Sequence, residues 1–462
     1  MSVTSSSAST AQNAELGKLI RPAYSLADLD CVRKALIANN TIKVRRYKSG
    51  GHSAVSVLDL EHTLENAVDG LLVFHWDRDN IMQCLAELSF AENPDLNAGL
   101  NLPGDQWKRG LLASVIHHQK GEHRFLDIIH EGHSGYPKDY FHRPHIRYNP
   151  ISLHEVGDPW GHGQNDSLSF INFLLFHALN TGRMKLSDGE HPAQLTDFAT
   201  LLHAYFWKIN VWADFDLGAW EDRVAEHWSS IACALISFRE QYDFMLKHGP
   251  MRTTRNGNTY LHEAKGVLEM AQKCEERLRE LGTREFIRAD GGGERQVDLA
   301  QINPILLAAF CGRPILDDAN TVAILENIER VLMAPIGIAR YEWDTWDGRI
   351  NRQFPRGSEA QWCHGSPQMS YIYGELFQRT GETRYYDKQV MHFNRALASV
   401  SKRWMIPEAW IIDQKTGEWV PDANEPLAWA QSMLALSVVQ MHNSLVAQKH
   451  KDLASAPSRA AA

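Results

Sequence analysis

Cysteine is scarce and scattered. Cys31, Cys84, Cys233, Cys274, Cys311 and Cys363 include no close pair, so neither a zinc knuckle nor a disulfide framework is suggested. Most fall in helical patterns and read as buried thiols. Long apolar runs are missing too. Each run is short and interrupted, which leaves no transmembrane helix. The first residues are rich in Ser, Thr and Ala, with neither a basic start nor an apolar core. They do not read as a secretory signal, and a cytoplasmic protein is expected. Basic charge is not in excess, since the net charge is -9. That argues against a nucleic-acid surface and leaves a neutral or basic partner, or solubility alone. No Pro- or Gly-rich linker divides the chain, and no internal repeat is obvious. Gly291-Gly292-Gly293 is followed by neither Lys-Ser nor Lys-Thr, so it is not a phosphate loop. A Ser-His-Asp pattern is absent as well.

What the chain does have is an ordinary globular balance, 44% hydrophobic and 22% charged, over 462 residues. Its 14 tryptophans and 22 histidines are more informative, because many cluster in loops. Loop aromatics often stack on flat, partly apolar ligands, and a sugar ring is one. His117, His118, His123, His130, His133, His142 and His145 are dense, yet none gives His-Glu-x-x-His spacing. They read as surface and loop histidines. Neither a metal nor a cofactor is expected.

Residues 1–20 read as a disordered polar tail, 21–447 as a single domain and 448–462 as a flexible tail. Strand signals are weak. A short helix is predicted over 25–39. Further helical patterns lie near 54–70, 79–92, 105–131, 165–182, 194–212, 221–247, 259–282, 298–311, 319–334, 364–381, 385–403 and 426–447. They alternate in character. Phe170-Ile171-Asn172-Phe173-Leu174-Leu175-Phe176 is apolar on nearly every side, whereas Lys273-Cys274-Glu275-Glu276-Arg277 is charged. All-round apolar helices are buried and charged ones half solvated. Buried and surface helices alternating about six times make two concentric rings, an all-α (α/α)6 barrel.

Polar and aromatic clusters precede the buried helices. They include Trp76-Asp77-Arg78-Asp79-Asn80, the run from Trp160 to Asp166, Trp220-Glu221-Asp222-Arg223, Gln296-Val297-Asp298, the run from Arg340 to Trp346, Pro407-Glu408, and Asn424 to Trp429. If the buried helices form the inner ring, the clusters converge at one end. Asp, Asn and Pro at helix starts also serve as caps. Capping does not explain the repeated tryptophans and arginines. Val224, Trp228, Ile231, Leu235 and Phe238 follow helical spacing, which puts Glu221 in a first turn. There it is either an acid held protonated among aromatic rings or a residue stabilised by the helix dipole. Two carboxylates among aromatic rings are the equipment of glycoside hydrolysis. On that reading Glu221 is the acid and Glu408 its partner, as nucleophile or activator of water.

In this order the motifs resemble glycoside hydrolase family 15, the glucoamylase family, and most of all its branch related to the α and β subunits of phosphorylase kinase. Trp76-Asp77-Arg78-Asp79 is similar to the family's Trp-x-Arg-Asp segment. Gly218-Ala219-Trp220-Glu221 matches its Gly-x-Trp-Glu element. The segment from Val156 to His162, with Gln164 and Asp166, resembles the kinase-related branch, as does Pro426-Leu427-Ala428-Trp429-Ala430-Gln431-Ser432. Arg340-Tyr341-x-x-Asp344-Thr345-Trp346 resembles Arg-Tyr-x-x-Asp-x-Tyr, and Pro407-Glu408 the element with the catalytic base. The match covers roughly residues 40–445. It implies an (α/α)6 barrel and inverting hydrolysis of α-glucosidic bonds in a short α-glucan or α-glucoside. Glu221 would be the general acid and Glu408 the general base. Arg78, Asp79, Arg340 and Asp344 would hold the terminal sugar, and Trp160, Trp220 and Trp362 would supply aromatic walls. Trp76, Gln164, Asp166 and Tyr341 belong to the matching segments and are expected to bind substrate. Glu342 and Trp343 replace the family's Pro-Glu, Trp346 replaces Tyr, and His75 and Asp77 flank Trp76 unusually. These departures bear on linkage and chain length. The alternative on the same fold is a catalytically weak or inactive glycan-binding or regulatory protein. A different (α/α)6 enzyme, a lyase or an epimerase, also stays open, because the fold does not fix the chemistry.

Overall fold

The computed structural model describes residues 11–55 and 74–455, apart from 133–134, 136–137, 139–140, 158–159, 192, 290–291, 345 and 347–356. The helix predicted over 54–70 therefore lies almost wholly outside the described residues, as do Asp158, Pro159 and Thr345 of the motifs.

Six helices form an inner ring, Asp77–Glu92, Asn165–Asn180, Trp228–His248, Ile302–Phe310, Gly365–Thr380 and Ala428–Ser455, buried on nearly every side through their N-terminal turns. Each packs on the next, and Ala428–Ser455 returns to Asp77–Glu92, so the ring closes. Outside it run Leu26–Ala38, Gln106–Lys120, Gln194–Ile209, Ala264–Leu281, Asp318–Val331 and Thr383–Ala398. These outer helices are one-sided. In Ala264–Leu281 the buried set Val267, Met270, Ala271, Cys274, Leu278 and Leu281 follows steps of three and four, with charge between. Inner and outer helices alternate along the chain, giving the (α/α)6 barrel. Successive inner helices point the same way, so their N-terminal ends share one mouth.

Local chemistry sets several boundaries. A capping box, Ser25 with Asp28, starts Leu26–Ala38. Asp317 caps Asp318–Val331 through the Asn320 N–H. Gly381, in the left-handed region at φ 77°, ends Gly365–Thr380. The pattern over 105–131 is two helices, Gln106–Lys120 and Glu122–Glu131, broken at Gly121. The start of the pattern over 259–282 is instead a hairpin strand, Asn258–His262, paired with Met251–Arg255. Within the tail expected over 1–20, Ala14–Gly17 is a helix capped by Asn13, and Leu16 is buried. Asn13 donates to the Ser401 carbonyl at 3.1 Å. The helix expected to end at 447 continues to Ser455. No helix among the described residues is long and apolar enough to cross a membrane.

Of the dense histidines, His117, His118 and His145 are buried rather than on the surface, as are His52 and His75. The ring centroids of His52 and His75 are 4.6 Å apart, those of His75 and Tyr148 4.7 Å, and His117 stacks on Tyr148 at 3.8 Å. His118 Nε2 lies 2.8 Å from Asp77, which also accepts from Tyr148 at 3.0 Å. Among the described residues no group of three or more His, Cys, Asp or Glu is placed to hold a metal ion. Burial holds His52 down at about 3, His117 at about 4 and His145 at about 2. The folded chain thus resists protons that the unfolded chain takes up below pH 6.5. Stability falls as pH drops from about 6.5 towards 4, by up to about 1.4 kcal/mol per pH unit for each such histidine. Urea unfolding at pH 7 and pH 5 measures this loss.

Candidate active site

Arg78 is the hub of one wall. The strand His75–Trp76 pairs with Arg147–Tyr148 and runs straight into Asp77–Glu92, which sets Arg78 and Asp79 in the first turn. Arg78 Nε donates to Asp166 at 2.8 Å, and Nη2 donates to Gln164 at 2.8 Å and Asp166 at 3.3 Å. Its Nη1 lies 3.5 Å from Glu221 Oε1. Gln164 and Asp166 open the next inner helix. They were expected to bind substrate; in the structure both meet Arg78 and fix the plane of its guanidinium.

Glu221 is not in a helix. The pattern read as 221–247 begins as a helix only at Trp228, and residues 218–222 form a turn. Val224 fits the spacing because it is buried, not because it is helical. The helix dipole is therefore not what acts on Glu221. The loop is fastened instead by buried polar groups. Arg143 pairs with Asp214 through two contacts of 2.6 and 3.0 Å. Asp216 accepts from the Asn165 N–H at 2.9 Å and from Ser230 at 2.8 Å. His227 bridges Glu285 at 3.1 Å and the Arg223 carbonyl at 2.8 Å. A Cβ on Gly218, at φ 58°, would sit 2.8 Å from the His227 ring, so only glycine fits there. Glu221 itself adopts φ 59°, costing about 1–2 kcal/mol for a residue with a Cβ. The surrounding ties hold it there.

The Glu221 side chain is about 10% exposed. Burial raises its pKa, opposed by the Arg78 charge and by the Trp160 indole N–H, which donates to Oε2. Trp160 is 42% exposed, edge-on to Trp76 at 6.4 Å, with the Arg147 guanidinium 4.4 Å from its ring. Trp160→Phe removes the donor that favours the carboxylate. Glu221 then keeps its proton to higher pH, and the basic limb of any activity profile moves up. Rate against pH for the two proteins checks this.

Across the mouth stand Trp220, Trp362, Trp429 and His364. Trp220 lies 5.5 Å from Trp362 and stacks on Trp429 at 6.2 Å, while His364 stacks on Trp429 at 4.2 Å. The Trp220 indole donates to Asp298 at 2.6 Å, and Asp298 pairs with Arg295 at 2.6 Å. Arg340 sits among these rings, 5.0 Å from Trp362 and 5.5 Å from Trp220, and grips Asp344 at 2.6 and 2.7 Å. Tyr341 donates to Asp222, and its ring lies 3.5 Å from Arg295.

Glu408 comes from a third place, a small antiparallel sheet of Gln361–Trp362, Ala409–Ile412 and Trp419–Pro421. It directly precedes Ala409, opposite Trp362. Asn424 Nδ2 donates to Glu408 Oε2 at 2.6 Å. Burial and the nearby Asp422 carboxylate push Glu408 well above the usual carboxylate range, and Asp79 adds to this. Burial also pushes Asp79 up to about 7, with Glu221 contributing. Asp79 is thus electrostatically close to both glutamates.

Asp222, His364, Asp422 and Asn424 were not picked out individually as site residues from sequence. Asn424 and Asp222 lay inside recognised clusters. His364 and Asp422 carry no motif signal, since nothing in sequence shows that a loop residue will fold onto Trp429 or Glu408.

Two rings of six helices, with one polar and aromatic mouth at the N-terminal ends of the inner ring, define an (α/α)6 barrel of the glucoamylase architecture. Solved structures share it. A glucoamylase from Saccharomycopsis fibuligera superposes with TM-score 0.62 at 13% identity, over 92% of this chain and 99% of that one. A glycosidase variant in complex with glucose gives TM-score 0.60 at 14% identity, over 94% and 98%. A bacterial glucoamylase complexed with acarbose gives 0.55 at 12%, over 91% of this chain and 56% of that one. At such identities the likeness is one of fold. No family model and no curated protein sequence matches the chain.

Proposed function

We propose that this protein is an inverting glycoside hydrolase acting on α-glucosidic bonds of a short α-glucan or α-glucoside. The observation that supports it is the pair of half-buried glutamates on separate elements, both with raised pKa and both in the field of Asp79, with tryptophans beside them. Glu221 gives a proton to the glycosidic oxygen, and Glu408 takes one from the attacking water. Asp79 and the fixed guanidinium groups of Arg78 and Arg340 hold sugar hydroxyls. Trp160, Trp220 and Trp362 meet the apolar faces of the ring. Trp76 backs Trp160, and Tyr341 closes the Asp222 side.

The test is incubation with maltose, isomaltose, trehalose and maltooligosaccharides, with the anomer of released glucose followed by NMR. β-Glucose as first product fits inversion, and α-glucose fits retention. A second reading is a glycan-binding protein with little or no turnover. It is supported by the upward shift of Glu408, which opposes its work as a base. The segments similar to the kinase-related branch agree with it. Saturable binding of a maltooligosaccharide with no glucose released over long incubation would decide for that reading.

A further inference from the structure

Glu408 has a neighbour that the proposed reaction does not yet use. Asp422 directly follows the strand Trp419–Pro421, and Glu408 directly precedes its partner strand. The Asp422 N–H donates to the Ala409 carbonyl at 3.0 Å, and the Glu408 N–H donates to the Asn424 carbonyl at 3.0 Å. This pairing sets the two carboxyls near each other, and each acts on the other's ionisation. Asp422 is buried, its Oδ1 is 3.5 Å from the Ala409 N–H, and its Oδ2 has no donor among the described residues. Two carboxylates side by side away from water do not both ionise, and one proton held between them satisfies both.

The other charged and titratable groups facing the pair do not replace that proton. Asp79, from Asp77–Glu92, adds negative charge at Glu408, and Glu425 adds more at Asp422 while pairing with Arg403. Cys363 gives Glu408 a backbone N–H at 3.1 Å, to its carbonyl and not its carboxyl. Arg340 contributes positive charge at Glu408 but is gripped by Asp344.

We propose that Asp422 is a positioning residue for Glu408, holding one proton in common with it so that the two carboxyls accept the proton of water as a unit. The inference rests on Glu408 being the acceptor, as above. In the step, an O–H bond of water breaks and its proton joins the pair, which then holds two. The water oxygen bonds to the anomeric carbon. The glycosidic C–O bond breaks, and its oxygen takes the proton of Glu221. Release of one proton from the pair to solvent and uptake of one by Glu221 restore the start.

The test needs no substrate. Carboxyl infrared titrations from pH 4 to 9 on the full chain compare wild type with Asp422→Asn, which keeps the acceptor for the Ala409 N–H. Glu408 should titrate about 1–2 pH units lower in the variant, because the like charge beside it is gone. The reciprocal variant, Glu408→Gln, should move Asp422 up, since Glu408 acts to lower it while burial and Glu425 raise it, and it covers the case in which Asp422→Asn fails to fold. If Glu408 does not move in Asp422→Asn, or Asp422 does not move in Glu408→Gln, the pairing is wrong. With turnover, the acidic limb of kcat/KM, which reports uptake of the second proton by the pair, shifts to higher pH in Asp422→Asn, where Glu408 takes up its first, while KM holds. A variant that merely loosened the strands would not show that split. If both titrations move and wild type releases no sugar, the hydrolase reading falls and the acceptor role with it, while the shared proton stands.

Discussion

Glu221→Gln lowers kcat for glucose release from maltooligosaccharides by about 10²–10⁴-fold, the usual worth of a positioned general acid. The amide has the shape of the acid but carries no proton that it can give to a leaving oxygen. It still accepts from the Trp160 indole, so the loop keeps its main contact at the mouth. The Arg78 contact at 3.5 Å is the long edge of a guanidinium already held by Asp166 and Gln164. Folding is therefore little changed, and KM stays within a few-fold, since the interaction lost is made in the transition state. Glu408→Gln gives a loss of the same order by removing the acceptor. Initial rates on maltose and maltotriose, with thermal unfolding as a control on structure, check both. Activity that survives both changes would sink the assignment.

The ring of helices was legible because burial leaves a plain signature. A helix such as Asn165–Asn180, buried along nearly its whole length, cannot tolerate a charged face, and after Asp166 in its first turn it has no Asp, Glu, Lys or Arg. The mouth was legible because arginine and tryptophan repeat where only caps are needed. Two things were not. Spacing could not tell that Val224 is buried in a loop, so the helix start was placed seven residues early at Glu221. Nor could sequence tell which polar side chains face the open centre and which serve a neighbour. Gln164 and Asp166 have the residue types that bind sugars, yet their oxygens meet Arg78. Asp422 was missed for the same reason. Its importance comes from a strand pairing across a turn, and a period of two or 3.6 does not report which loop residue lies beside which.

Arg340→Leu destabilises the fold by about 3–5 kcal/mol and abolishes useful binding of the terminal sugar. The guanidinium is buried among Trp220, Trp362 and Trp346, where leucine packs well enough. The cost comes from what is left behind. Asp344 is fully buried, and among the described residues its remaining donor is the Trp346 N–H at 3.0 Å. Removing one partner of a buried pair leaves a charge with no compensation, which accounts for the figure. With an unfolding entropy of about 2.1 cal/mol/K per residue, a chain of this length loses about 4 °C in Tm. The double variant Arg340→Leu with Asp344→Asn removes the stranded charge while keeping an acceptor for Trp346, so most of the lost stability returns. Sugar binding does not return with it, because the guanidinium donors are still missing. KM stays raised by about 10–100-fold, equivalent to one charged hydrogen bond of about 1.5–3 kcal/mol. Calorimetry on the three proteins alongside KM for maltose separates the two roles. Recovery of both together in the double variant would mean that Arg340 holds the wall and never touches the sugar.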